Sequence, residues 1–268
     1  MDQGLGIHAG TVALTPALVL FVAALLAGAL NSVAGGGSFI SFPALLLVGV
    51  PAINANTTSS TALLVGTGAS AGAYRRDFNL PVKTLAVLSL ASAAGGGLGA
   101  AVLLRTPERT FESLVPYLLA FATAVFAGSA RIVNWFHRSI ADVSDPSARN
   151  LAVVSLIQLT IAFYGGYFGG GIGIMILAVL ALMGMQQINT MNAVKTLMGG
   201  IINGIAVLAF IAARTIWWPQ AVIMMGGAVL GGYFGAHYAR RTDPRAVRSG
   251  IIAAGALMSA YLFVRRWL

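Results

Sequence analysis

The stretch NSVAGGGSFISFP, residues 31–43, places Gly35, Gly36 and Gly37 between two apolar segments, and GGYFGGGIGIMIL, residues 165–177, does so again with Gly169, Gly170 and Gly171. Working outward from the triplets, the pair Ile53 and Asn54 returns as Ile188 and Asn189. Gly95, Gly96, Gly99 and Ala100 return as Gly231, Gly232, Gly235 and Ala236, and Arg105-Thr106 as Arg241-Thr242. The offset moves only from 134 to 136 residues in a chain of 268, so the sequence is a duplicated unit. Each copy breaks an apolar stretch with glycines at the same place. In a membrane, an internal repeat whose hydrophobic segments are Gly-interrupted at corresponding positions points to a transport site.

Composition places the chain in a membrane. Hydrophobic residues are 58% and charged residues 9%, against about 25% charged in an average soluble domain. The charge-free runs 12–30, 84–104, 216–239 and 249–264 approach or exceed the roughly 17 residues that cross a hydrocarbon core. The first run has no basic segment before it and no small-residue cleavage pattern after it, so it reads as a mature helix and not as a signal peptide. Cysteine is absent, which removes disulfides, thiolate chemistry and Cys-ligated metal. His8, His137 and His237 lie far apart, without metal-ligand spacing, and no cofactor or metal is expected.

The formal charge of +9 would suggest nucleic acid in a soluble chain, but here the basic residues sit at helix ends with no basic stripe or interleaved aromatics. They read as topology signals, and nucleic acid is not an expected partner. The expected partners are a small anion and the lipid bilayer, with homodimerisation left open.

Each half divides into five apolar pieces, at about 13–34, 41–50, 57–74, 81–104 and 113–135, then 151–168, 173–184, 193–213, 217–239 and 247–265. The second piece of each half, some 14 to 18 Å as a helix, reaches about half of a 30 Å core. Because proline is tolerated only in a helix's first turn, Pro43 predicts a start near Ser41, leaving 35–40 unwound. Irregular backbone at that depth is tolerated where it is buried in protein or lines a wet cavity. The predicted fold is therefore all-α: a polytopic helical membrane protein with two inverted structural repeats, each containing a Gly-broken re-entrant helical hairpin. Residues 1–135 form the first repeat, a hairpin plus three transmembrane helices; 136–149 a cytoplasmic linker; and 150–268 the second repeat.

A hairpin that returns to its own side followed by three crossings is an odd number, which inverts the halves. The loop charges agree. Arg75, Arg76, Lys83, Arg138, Arg149, Arg240, Arg241, Arg245 and Arg248 fall on one side, and Arg105, Arg109, Arg214, Arg265 and Arg266 on the other. The positive-inside rule then puts both termini outside the cytoplasm of an inner or plasma membrane.

Three glycines let backbone N–H groups approach a ligand closely, and the following helix adds the partial positive charge of its N-terminus. Together they form an anion site from backbone. Gly35, Gly36, Gly37, Ser38, Gly169, Gly170 and Gly171 are its candidate residues. The plain alternative, close helix packing, is outweighed by repetition at the same place in both halves. NANTTSST (54–61) and NTMNAVKT (189–196) open the third pieces. Their Ser/Thr run exceeds what helix capping needs, so Asn56, Thr57, Asn192 and Thr196 are candidates to face a polar cavity. Lys195 lies inside an apolar helix with no carboxylate at helical spacing. It reads either as a substrate contact, the default for an intramembrane charge, or as a side chain snorkelling to the interface. Asn31 and Asn203 are candidates for the cavity or for interhelical bonds. The GxxxG pairs Gly95/Gly99, Gly231/Gly235 and Gly165/Gly169 read as packing faces.

With NSVAGGGSFISFPAL (31–45), GVP (49–51), ANTTSS (55–60), YRR (74–76), GGYFGGGIG (165–173) and NAVKTL (192–197), the chain resembles the sulfite exporter TauE/SafE family, also called the toluenesulfonate uptake permease family. The likeness runs nearly end to end, with the paired Gly-rich hairpins its most specific part. It implies membrane transport of sulfite, organosulfonates such as sulfoacetate, or related sulfur oxyanions. All seven carboxylates, Asp2, Asp77, Glu108, Glu112, Asp142, Asp145 and Asp243, fall at predicted ends or loops, leaving no intramembrane proton relay. That favours export or facilitated passage driven by membrane potential. An anion channel shares these features. An intramembrane enzyme using Lys195 lacks a partner Asp, Glu, Cys or His at helical spacing, so no enzymatic activity is expected.

Overall fold

A computed structural model describes residues 13–74, 80–139, 148–185, 187–238 and 244–267. Among them the regular structure is entirely helical. The first half holds α1 (Leu14–Ala34), α2 (Ser38–Leu47), α3 (Ala52–Tyr74), α4 (Val82–Arg105) and α5 (Glu108–Ser139). The second holds α6 (Ala148–Tyr167), α7 (Ile172–Leu182), α8 (Ile188–Ala212), α9 (Trp218–Tyr238) and α10 (Pro244–Trp267). Within α1, α4, α6 and α8, the segments Leu14–Ser32, Val82–Arg105, Asn150–Tyr167 and Thr190–Ala212 are long and apolar enough to cross a membrane. With 10 residues in α2 and 11 in α7, the two short helices reach about 15 to 17 Å at 1.5 Å per residue.

Packing exchanges partners between the halves. α1 lies along α9 and α4 along α6; α3 packs on α9 and α4 on α8; α3 meets α8, and α5 meets α10. Exchanging each helix of one half for its counterpart in the other leaves this set of pairs unchanged. The reciprocity extends to residues. A Cβ on Gly95 would strike the Leu159 carbonyl, and one on Gly231 would strike the Leu25 carbonyl. Gly99 meets Phe163 as Gly235 meets Ala29. Glycine at these positions lets two backbones touch, the usual means of helix association where no hydrophobic driving force acts between helices.

Several boundaries differ from expectation, with α5 starting at Glu108 rather than near 113 and α8 at Ile188 rather than near 193. α2 starts at Ser38, so Pro43 lies inside it. Bonds from Phe39 N to Gly36 O and from Ile40 N and Ser41 N to Gly37 O (3.1 Å each) begin the helix a turn early. Pro43 then costs a single i→i−4 bond, to the Phe39 carbonyl. The non-helical backbone of this tip shrinks to residues 35–37. α3 begins at Ala52 rather than near 57, and α5 runs to Ser139, since no Gly or Pro interrupts it between Gly128 and Pro146. The topology signals Arg75, Arg76, Arg240 and Arg241 lie outside the described residues.

The Ser/Thr run of α3 is spent on holding helices together. Asn54 Nδ2 (2.6 Å) and Thr57 Oγ1 (3.0 Å) both donate to the Thr215 carbonyl, and Trp217 N donates to Thr58 Oγ1 (3.1 Å). The start of α3 thereby pins the α8–α9 turn, where Arg214 takes a positive φ of 56°. Ser59 and Ser41 share a hydroxyl bond of 2.7 Å between α3 and α2.

Candidate functional site

α1 ends on Gly35 in the left-handed region (φ 74°). There a Cβ would stand 2.6 Å from the Gly173 Cα. The loop between α1 and α2 therefore touches the first turn of α7, and the two glycine tips meet inside the protein. Neither short helix has a side-chain cap: the N-cap positions are Gly37 and Gly171, the latter at φ 77°. In the first turns the N–H groups of Phe39, Ile40 and Ser41 bond to the Gly36 and Gly37 carbonyls and those of Ile174 and Met175 to the Gly171 carbonyl; the helix starts themselves, at Ser38 and at Ile172 and Gly173, bring the positive ends of two dipoles to one cavity.

A cavity of about 40 Å3 lies at this meeting point. Its walls are Asn31 and Gly35 from α1 and its cap, Ser38 from α2, Leu63 and Thr67 from α3, Gly169, Ile172 and Gly173 from the second tip, and Lys195, Thr196, Gly199 and Asn203 from α8. Asn31 Nδ2 donates to Thr67 Oγ1 (3.0 Å), which donates to the Leu63 carbonyl (2.8 Å). Lys195 is 4% exposed, the one buried charged side chain among the described residues, and its Nζ has no hydrogen-bond partner. An ammonium taken out of water without a partner is strongly unfavourable, so its position calls for a negative group or water. Its head group lies inside the protein, not extended to a surface as snorkelling would have it.

Of the residues singled out from sequence, the cavity brings together Asn31, Gly35, Ser38, Gly169, Lys195, Thr196 and Asn203. Gly36, Gly37, Gly170, Gly171, Asn56, Thr57 and Asn192 are outside its walls. Gly37 abuts the Ala27 carbonyl, where a Cβ would lie 2.5 Å away, and serves the α1–α2 contact. Gly170 faces the Phe168 ring. Asn56 Nδ2 donates to the Tyr167 carbonyl (3.1 Å) and Thr57 to Thr215, so their donors are engaged in holding helices. Asn192 Oδ1 is buried without a partner. Sequence reasoning missed Leu63, Thr67, Ile172, Gly173 and Gly199. Helical spacing carried the signal for Gly199, which lies four residues from both Lys195 and Asn203. Thr67, on another helix from its partner Asn31, gave none.

A larger cleft of about 600 Å3 at the α2–α3 turn and the start of α5 has Arg109 and Glu112 on its wall. Both are exposed, and neither glycine tip reaches it. Among the described residues no group of three or more His, Cys, Asp or Glu is placed to hold a metal ion.

Comparison with known proteins finds relatives over nearly the whole chain. The sequence pattern of the family described as Sulfite exporter TauE/SafE matches residues 20–262. A probable membrane transporter protein, ORF9, of a Sinorhizobium species is 29% identical over 258 residues, covering 93% of this chain and 95% of its own. A probable membrane transporter protein of Haemophilus influenzae is 23% identical (90% and 92% covered), and YfcA of Escherichia coli K12, also named a probable membrane transporter, is 26% identical (91% and 88%). No solved structure matches the chain. Apolar helices long enough to span a bilayer, and a family match that includes both glycine tips, make this a multi-pass membrane transporter that belongs to the sulfite exporter TauE/SafE family.

Proposed function

We propose that the protein moves a small sulfur oxyanion, sulfite or an organosulfonate, across the membrane, holding it at mid-depth between two re-entrant hairpins that enter from opposite faces. The observation that carries this reading is the partnerless Lys195 ammonium in the cavity where Gly35, Gly169 and Gly173 meet. An anion there receives one fixed positive charge, the positive ends of two helix dipoles, and donors from Asn31, Ser38, Thr196 and Asn203. The family supplies the substrate class; the site's chemistry is compatible with it. The exchange of packing partners between halves fits a pseudo-two-fold relation that brings equivalent tips to a common centre; a returning hairpin followed by three crossings, an odd number, is what makes that relation an inversion.

Driving force needs no second ion for outward movement. A monoanion leaving a cell interior at −100 mV is favoured by about 2.3 kcal/mol. The small volume of the cavity supports a carrier that closes around its substrate over an open channel.

The test is a panel of sulfite, sulfoacetate, thiosulfate, chloride and phosphate, scored by thermal shift on purified protein and by counterflow in proteoliposomes. A ligand at 100 times its Kd stabilises by about 2.7 kcal/mol. Sulfur oxyanions are expected to raise the melting temperature and show saturable counterflow. Stabilisation by chloride or phosphate alone rejects the substrate class, and ohmic current without saturation rejects the carrier.

A further inference from the structure

The cavity around Lys195 is too small for most of an organosulfonate. At about 40 Å3 it has space for roughly one to three water molecules, at most a sulfonate head and nothing attached to it. Beside it lies a second pocket of about 220 Å3 between α3 and α8. The two share Thr67 and Thr196 as walls. Among the described residues the second pocket is otherwise lined by Leu64, Leu197, Ile201, Gly68 and Gly200, none of them charged. An apolar cavity of about 150 Å3 suffices to take up benzene.

The glycines of this pocket differ from those that join helices. A Cβ on Gly95, Gly99, Gly227 or Gly231 would collide with a neighbouring backbone, whereas one on Gly68 or Gly200 would meet nothing within 4 Å. Gly in a helix interior costs about 1 kcal/mol relative to Ala. Gly68 is exposed and Gly200 half-buried; no close approach of backbones compensates at either, and their missing side chains leave the mouth and wall of this pocket open beside the cation site.

We propose that this pocket receives the tail of the substrate: the sulfonate head sits on Lys195 between the glycine tips, and a short alkyl or aryl group passes between Thr67 and Thr196 into the space kept by Gly68 and Gly200. This rests on the anion reading of the Lys195 site and narrows it to sulfonates with an uncharged apolar tail. A second carboxylate or an ammonium on the tail would lie against apolar walls that offer no counter-charge among the described residues, which is disfavoured wherever the tail is covered. The preference therefore runs from aryl and alkyl sulfonates down to sulfoacetate.

Binding of methanesulfonate, propanesulfonate, benzenesulfonate and sulfoacetate is measured on the full-length protein in lipid nanodiscs, for wild type, Gly200→Leu, Gly68→Leu and Lys195→Met. Each additional buried methylene is worth roughly fourfold in affinity, so propanesulfonate, with two more, is expected to exceed methanesulfonate by about fifteenfold. Benzenesulfonate should bind at least as well as propanesulfonate, and sulfoacetate no better than methanesulfonate. Gly200→Leu fills the pocket without a backbone clash and with improved helix propensity. It should bring the longer sulfonates down to the methanesulfonate level while methanesulfonate changes by less than about twofold, and Gly68→Leu, from the opposite wall, should do the same. A tail gain that survives both substitutions, or methanesulfonate binding equal to propanesulfonate in wild type, overturns the tail pocket and leaves the Lys195 site standing. Methanesulfonate affinity unchanged by Lys195→Met overturns the anion site and the tail pocket with it.

Discussion

Gly35 and Gly173 meet backbone to backbone: a methyl group on Gly35 would stand 2.6 Å from the Gly173 Cα and 3.2 Å from its nitrogen. These residues belong to different halves of the chain, and their contact closes the space in which Lys195 is buried. Gly35 also needs its positive φ of 74° to end α1, so two constraints fall on one residue.

The two constraints separate by comparison with Gly49, which has a φ of 88° and open space around its Cβ position. Gly49→Ala should lose about 1 to 2 kcal/mol of stability from left-handed strain alone and keep its substrate affinity. Gly35→Ala should lose more stability and most of its anion binding, because the tips must part. Melting curves together with anion titrations check this; equal behaviour of the two variants would show that the tip contact has no role in binding.

Lys195→Met should weaken anion binding by about tenfold to more than a hundredfold, since a charge-assisted hydrogen bond is worth about 1.5 to 3 kcal/mol. The ligand-free protein should melt at least about 2 °C higher, because the variant removes a buried charge that has no partner. Lys195→Arg should keep part of the affinity, limited by the larger planar head. A ligand-free melting temperature that falls, with affinity intact, would mark Lys195 as a structural anchor.

Gln158 Nε2 donates to Ser92 Oγ (2.8 Å), which bonds the Met198 sulfur (3.3 Å), in the contact of α4 with α6 and α8. The equivalent positions of the other interface, by the 134 and 136 offsets, are Ala24 and Ala228. Ser92→Ala alone leaves a buried amide unpaired and should cost about 1 to 3 kcal/mol. Converting both positions, Ser92→Ala with Gln158→Leu, should recover most of that loss. A double-mutant cycle in melting or denaturant unfolding measures the coupling; additive losses would mean that the pair is independent.

Inversion of the halves is testable because the chain has no cysteine. Lys83 near the start of α4 and Arg214 just before α9 are both exposed and occupy equivalent ends of the two repeats. Cysteines at Lys83 and Arg214 should react with an impermeant maleimide from opposite sides, Lys83→Cys from the cytoplasm. Labelling from the same side would make the repeats parallel.

The sequence alone determined the class, the duplication and the half-length helices, because each is a property of local runs: charge-free length, glycine position, and spacing between copies. It also pointed to Lys195 through the cost of a charge in an apolar helix. It misjudged the start of α2, because Pro43 forbids only one backbone bond and early bonds to Gly36 and Gly37 extend the helix past that loss. The Ser/Thr run of α3 looked like a cavity lining and became a clasp on Thr215 and Trp217, since whether a hydroxyl faces water or a carbonyl depends on a partner more than 150 residues away. The GxxxG spacing of Gly95/Gly99 and Gly231/Gly235 marked in sequence the faces that join helices, as their backbone contacts bear out. Tertiary structure alone decided which glycines keep space open: nothing in the sequence around Gly200 on α8 tells whether a backbone or a void faces it, because what faces it comes from a helix of the other half.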